Sequence, residues 1–197
     1  MADIQFVLAS ASVARRKLLV EAGIQPFVCP SNFDEDAVTI REPSELVKVL
    51  AKGKAEMVAP QFPNGLVLGC DSVLAINGVI YGKPESEEEA MTRWREMRGG
   101  QGELHTGYAL IAPGKLPLVR SKMTKVFFAT LSDAEIEKYI ATGEPMHCAG
   151  AFATDGKGSL FVEKIEGCHT NVVGLSLPTL RHMMAELGYR AIDFWGR

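Results

Sequence analysis

Residues 66–76 read Leu-Val-Leu-Gly-Cys-Asp-Ser-Val-Leu-Ala-Ile, two apolar runs parted only by Gly69-Cys70-Asp71-Ser72 and closed by Asn77-Gly78. Short apolar runs bounded by turn residues predict buried strands over 66–69 and 73–76. Asn-Gly ahead of Val79-Ile80-Tyr81 predicts a tight hairpin. Strand signals recur at 4–9, 24–29, 105–112, 118–129, 159–164 and 171–173. Between them lie helical stretches with legible starts. Ser12 is the N-cap of a helix that buries Leu18, Leu19 and Ala22 and stops at Gly23. Pro43 and Ser44 open a long helix with Leu46, Val47, Leu50, Ala51 and Val58 at helical spacing. Ser86 with Glu89, and Ser132 with Glu135, have the spacing of capping boxes for helices through Trp94 and Ile140, the latter stopped by Gly143. A last helix spans 178–187. Strands and helices alternate unevenly, which predicts a mixed, twisted α/β sheet flanked by helices.

With 197 residues and 47% hydrophobic side chains, the chain can bury one sizeable core, read as a single domain over 1–197. A formal net charge of −3 offers no basic surface for a nucleic acid polymer. Cys29, Cys70, Cys148 and Cys168 form no C-x-x-C pair and read as thiols of a reducing compartment. The start, Met1-Ala2-Asp3-Ile4-Gln5-Phe6, lacks a basic segment followed by a long apolar one. No stretch approaches the roughly 20 apolar residues that span a bilayer. A cytoplasmic protein without a membrane partner is the expectation.

Chemistry is concentrated in a few places. Ser10-Ala11-Ser12 joins a strand to a helix, where hydroxyls and free backbone N–H groups favour an anion. Arg15 and Arg16 stand in the first turn, where cations oppose the helix dipole, so a polyphosphate would explain them. An ordinary N-cap with two solvated arginines reads the same residues equally well. Asp71 interrupts an apolar run, where a charge without a partner is costly. It reads as a general base, a metal ligand, or an acid in a turn at a strand's end. Lys83, in Gly82-Lys83-Pro84, can pair with Asp71 or with a phosphate. Lys52 and Lys54 read as a solvated helix face. Gly150 to Lys157 resembles a P-loop only superficially, having five intervening residues and Gly158 in place of Ser or Thr. His147-Cys148 raises a thiol nucleophile, but on a strand the two side chains would point to opposite faces.

Taken in order, these pieces resemble the Maf family of nucleotide pyrophosphatases over nearly the whole chain. The matching stretches are Leu8-Ala9-Ser10-Ala11-Ser12 with Arg15, Asp34-Glu35, Lys54-Ala55, Gly69-Cys70-Asp71-Ser72-Val73 and Gly82-Lys83-Pro84. His105-Thr106-Gly107, Gly143-Glu144-Pro145, Ala149-Gly150, Ile165-Glu166-Gly167 and Asn171-Val172-Val173-Gly174-Leu175 complete the set. The resemblance implies a Maf/ITPase-like α/β fold with two lobes around a central cleft. It implies hydrolysis of a nucleoside triphosphate to a monophosphate and pyrophosphate with a divalent metal, magnesium or manganese. Ser10, Arg15, Lys54 and Lys83 match the family's phosphate-contacting residues. Glu35 and Asp71 match its acidic, metal-binding pair, with Asp71 at the catalytic position. The arrangement is compatible with a homodimer.

His147-Cys148-Ala149-Gly150 looks like the branch acting on 7-methyl-GTP, which also tends to carry an acid where Asp155 stands. A carboxylate near the ring would favour the cationic methylated base. The dTTP/UTP branch usually has Asp-Lys before Ala-Gly and is the alternative. Val13 in place of the family's proline, Ala14 in place of a large side chain, and Ser72 depart from the 7-methyl-GTP pattern. A non-catalytic nucleotide-binding regulator of cell division is a further alternative, since the family's name is linked to inhibition of septum formation.

Overall fold

The computed structural model describes residues 4–195, so the opening Met1-Ala2-Asp3, on which part of the leader reading rests, lies outside the described residues. In chain order the regular elements are β1 (Phe6–Leu8), α1 (Val13–Glu21), β2 (Phe27–Val28), α2 (Pro43–Val58), β3 (Leu66–Ile76), β4 (Val79–Tyr81) and α3 (Glu87–Met97). They continue with β5 (Gln101–Ile111), β6 (Leu118–Phe128), α4 (Asp133–Ile140), β7 (Val162–Glu166), α5 (His169–Val173) and α6 (Leu177–Glu186), with short 3₁₀ turns between some of them. Among the described residues the strands form one seven-stranded mixed sheet in the order β2-β1-β3-β5-β6-β7, with β4 paired to β3. β1 runs parallel to β2 and β3, while β4 is antiparallel to β3 and β7 to β6. No helix among the described residues is long and apolar enough to cross a membrane.

Several local readings hold for the expected reasons. Ser12 accepts from the Arg15 N–H and starts α1, and Gly23 at φ +82° ends it. Asn77 and Gly78 both take positive φ, 50° and 81°, the requirement of a type I′ hairpin between Ile76 and Val79. Ser132 and Glu135 complete a reciprocal capping box on α4.

Others need correction. The turn-like Gly69-Cys70-Asp71-Ser72 does not break the strand, because β3 runs continuously through it. The strand expected at 159–164 begins only at Val162, after a 3₁₀ turn over Lys157–Phe161. The run at 171–173 is helical, in α5, not a strand. An apolar stretch this short has no readable period, and buried Asn171 settles the matter by donating to Thr124 Oγ1 at 3.1 Å. On α3, Ser86 caps as expected, but Glu89 reaches the N–H of Glu85 and not that of Ser86.

The chain divides into two compact units, one of Met1–Asp71, Thr106–Lys122 and Gly174–Arg197, the other of Ser72–His105 and Met123–Val173. In the second, Trp94 is the centre of the core. Its ring meets Phe128, Tyr139 and Phe161 edge-on at 5.5–6.0 Å, and its Nε1 donates to Ala151 O at 2.8 Å.

In the first unit, α2 turns Val47, Leu50, Ala51, Lys54, Ala55 and Val58 inward. Two strand glycines admit its backbone. A Cβ on Gly69 of β3 would lie 2.2 Å from Ala51 O, and one on Gly107 of β5 would lie 1.9 Å from Val47 O. Both distances are far below contact, so any side chain there must push the helix away. Gly69→Ala is therefore expected to lower unfolding stability by about 2–3 kcal/mol, read as a lower urea midpoint. An unchanged midpoint would show that the helix moves off the sheet at no cost.

Candidate active site

The site in the first unit begins where β1 gives way to α1. Buried Ser10 accepts from the N–H of Ser12 at 3.2 Å and from Arg15 Nη1 at 3.1 Å. Arg15 Nη1 also donates to Cys70 O at 3.0 Å, and its Nε to Gly174 O at 2.9 Å. The segment holding Gly174 is fixed in turn, because the Ser176 N–H donates to the buried Tyr108 hydroxyl at 3.1 Å. Arg15 is thus held in a set place among backbone carbonyls, while Arg16 is exposed. The ordinary reading of a cap with a solvated arginine fits Ser12 and Arg16 and fails for Arg15.

The acidic pair lies beside it. Lys54 is not on the solvated face of α2 but on the buried one, 8% exposed. Its Nζ lies 2.6 Å from Asp71 Oδ1 and 2.8 Å from Glu35 Oε1. Asp71 is equally buried, whereas Glu35 is half exposed. Lys52, two residues earlier, turns outward and pairs with exposed Glu56 at 3.6 Å. One buried ammonium therefore gathers two carboxylates from separate segments. Asp71 and Gly69 are two apart on β3 and share a strand face, so the glycine that admits α2 also lets Lys54 reach the acid. Burial pushes the neighbouring Cys70 thiol up to about 12, so it stays protonated and is no nucleophile.

Among the described residues no group of three or more His, Cys, Asp or Glu side chains could hold a metal ion. Two converging carboxylates still match one kind of site. Magnesium is commonly held by one or two carboxylates and completes its shell with substrate phosphates and water.

Lys83 and Asp155 belong to the second unit, and both are exposed. Gly82 O, just before Lys83, accepts from Arg93 Nη1 at 2.7 Å and from the Gly150 N–H at 2.9 Å. The loop after Asp155 is tied by Glu144, whose carboxylate accepts from the Lys157 and Gly158 N–H groups and the Tyr139 hydroxyl, each at 2.9 Å. Burial alone would raise the Glu144 carboxyl, but these donors bring it below its ordinary range.

Cys148 lies within the electrostatic reach of both Lys83 and Asp155. Burial pushes its thiol up to about 11, the carboxylates of Asp155 and Glu144 add to this, and Lys83 opposes it. The thiol donates to Glu144 O at 3.5 Å. His147 and Cys148 do not lie on a strand, as expected, but at two 3₁₀ turns, and His147 is exposed. A thiol held protonated at neutral pH is no nucleophile.

Sequence reasoning missed four contributors: the carbonyls of Cys70 and Gly174, Glu144 as a knot, and Arg93. Carbonyl acceptors carry no side-chain signal. Arg93 did leave one, falling at the apolar spacing of Ala90, Trp94 and Met97.

A family model described as Maf-like protein matches residues 5–187. A protein of Trichormus variabilis named nucleoside triphosphate pyrophosphatase is 58% identical over 196 residues, covering 99% of this chain and 100% of its own. A protein of the same name from Nostoc punctiforme is 59% identical over 191 residues, covering 96% and 97%. Among solved structures, the Ham1 protein of Staphylococcus aureus matches 64% of this chain and 72% of its own at 16% identity. Its TM-score of 0.44 is too low for the likeness to carry an argument.

Lys54→Met is expected to lower unfolding stability by about 3 kcal/mol, because it leaves the buried Asp71 carboxylate without its cation. Adding Asp71→Asn to that variant should recover part of the loss. Urea unfolding of both variants checks this, and an undiminished midpoint for Lys54→Met would refute the pairing.

Proposed function

We propose that this chain, which belongs to the Maf-like protein family, is a nucleoside triphosphate pyrophosphatase that cuts between the α- and β-phosphates. The observation that carries the reading is the Lys54 ammonium held between Asp71 and Glu35, beside an Arg15 fixed at the start of a helix. The relatives' shared name supports it.

In this reading Ser10 and Arg15 bind phosphate oxygens at the N-terminus of α1, where backbone N–H groups already favour an anion. Lys54 and Lys83 supply further positive charge toward the polyphosphate. Asp71 orients the attacking water and takes its proton as the water oxygen bonds to phosphorus and pyrophosphate leaves. Glu35 and Asp71 are the carboxylates that would hold a divalent cation, magnesium or manganese. Such an ion supplies neutralisation of the charge spreading over the phosphoryl oxygens.

For the base, we propose 7-methyl-GTP. Its support is the exposed Asp155 carboxylate, whose charge acts on Cys148, in the segment that resembles the methyl-GTP branch. A carboxylate at the ring would favour a cationic base over a neutral one.

The deciding experiment is pyrophosphate release from a panel of canonical and modified nucleoside triphosphates, with magnesium and with manganese. Binding without release would turn the reading to a nucleotide-binding regulator. A preference for dTTP or UTP would reverse the base assignment and leave the reaction standing. Asp71→Asn should remain folded and lose about 10²–10⁴-fold in turnover, the usual worth of a positioned acid–base group. Wild-type turnover in that folded variant would end its catalytic role. Asp155→Gln should narrow the preference for 7-methyl-GTP over GTP by roughly fivefold, a modest effect because water screens an exposed charge. The ratio of kcat/KM values reads it, and an unchanged ratio would remove Asp155 from base recognition.

A further inference from the structure

Helix α3 turns Ala90, Trp94 and Met97 into the core of the second unit, and Arg93 stands on that same face, 7% exposed. An arginine there is costly. The guanidinium leaves water, and an apolar side chain of similar length would fill the space without that penalty. The surroundings do not even satisfy it fully, since Nε is buried without a hydrogen-bond partner among the described residues. Core packing alone does not account for its presence.

Its remaining contacts converge on one place. Nη1 donates to Gly82 O, the same carbonyl that accepts from the Gly150 N–H. Nη2 pairs with Glu89 one turn earlier on α3. The guanidinium carbon lies 5.2 Å from the centre of the Tyr81 ring. Tyr81 ends β4, Gly82 follows it, and Lys83 comes next. Gly150 belongs to the turn that follows Cys148, and it is fixed on its other side, where a Cβ would fall 2.4 Å from Leu74 Cδ2. Gly82 itself has open space, with nothing within 4 Å of where its Cβ would be. Packing does not hold the backbone at Gly82. Two hydrogen bonds to one carbonyl do, and Arg93 provides the charged one.

We infer that Arg93 is a positioning residue that acts through Lys83, fixing the backbone from which the Lys83 ammonium reaches the triphosphate. The inference rests on the pyrophosphatase reading above, in which Lys83 contacts the polyphosphate. A planar fork suits this task, because it bonds Gly82 O and Glu89 at once while its cation lies over the Tyr81 ring.

A double-mutant cycle on the full-length chain tests it, using Lys83→Ala, Arg93→Met and the pair together. The readouts are kcat and KM for pyrophosphate release and the urea midpoint of each variant. Lys83→Ala should lower kcat/KM by about tenfold to a hundredfold, as expected for a lost charge-assisted hydrogen bond. Arg93→Met should lower it by roughly tenfold through misplacement of Lys83, with a urea midpoint at or above that of the wild type. The double variant should be no worse than Lys83→Ala alone, since a residue acting through Lys83 has nothing left to position. Arg93→Lys, a point charge without the fork, should recover part of the loss. It also carries the same cycle if Arg93→Met does not fold. A folded Arg93→Met with wild-type kcat/KM, or losses that multiply in the double variant, would overturn the inference alone. Unchanged turnover in Lys83→Ala would instead strike the role of Lys83 in the reaction, and the inference with it.

Discussion

The first unit depends on a helix laid backbone-to-backbone against a sheet. Gly69 and Gly107 are the two positions where a side chain would collide with the carbonyls of α2. A helix packed over side chains at these positions would stand farther from the sheet. This one comes closer, which brings Lys54 to 2.6 Å from Asp71 on the same strand as Gly69. The pairing of charges follows from the missing Cβ atoms. An Asp in the middle of an apolar strand is tolerable only if a cation is delivered to it, and the glycine two residues earlier lets the helix deliver one.

The two arginines that emerge from the structure, Arg15 and Arg93, solve a common problem in different units. Each directs guanidinium N–H groups to backbone carbonyls: Arg15 to Cys70 and Gly174, Arg93 to Gly82. A carbonyl cannot be moved by rotating a side chain, so a guanidinium bonded to it fixes main chain. Arg15 ties the carbonyl before Asp71 to the start of α1, and Arg93 ties the carbonyl before Lys83 to α3. In both places the fixed carbonyl immediately precedes a residue assigned to the chemistry. The cysteines play the opposite part. Burial keeps Cys70 and Cys148 as neutral thiols, so both sit beside charged groups without adding charge of their own.

How much of this can be read from the sequence depends on the range of the interaction. Caps and hairpins are local, so Ser12, Ser132 with Glu135, and Asn77-Gly78 declare themselves through neighbours a few residues away. Asp71 is legible as an anomaly, a charge inside an apolar run, although its strand is mistaken for two because Gly-Cys-Asp-Ser has the composition of a turn. The helical run at 171–173 is hidden for a related reason: three residues carry no period, and Asn171 is held by Thr124, far away in the chain. Lys52 and Lys54 look alike in sequence. Apart from the family resemblance, only the face of α2 that packs on the sheet separates them, and the close approach of Gly69 and Gly107 marks that face. The structure brings Ser10, Arg15, Lys54 and Asp71, the residues that the resemblance to a known family points to, to neighbouring positions in the first unit. The resemblance contains nothing about the carbonyls that hold Arg15 in place.

The distribution of the assigned groups over the fold also separates two kinds of constraint. Asp71 lies inside a strand and Lys54 on a buried helix face, so their positions are set by the core and little ordering is left for substrate to impose. Lys83 and Asp155 lie on exposed loops, held by hydrogen bonds from Arg93 and Gly150 and by hydrogen bonds to the Glu144 carboxylate instead of by packing. A group set by the core cannot move without unfolding part of the unit, whereas a loop held by a few hydrogen bonds can be re-aimed by changing one of them. In the proposed reading the water-orienting role of Asp71 rests on the first arrangement. The phosphate contact proposed for Lys83 and the base contact proposed for Asp155 both rest on the second, so each can be altered by a substitution in the hydrogen bonds that hold its loop.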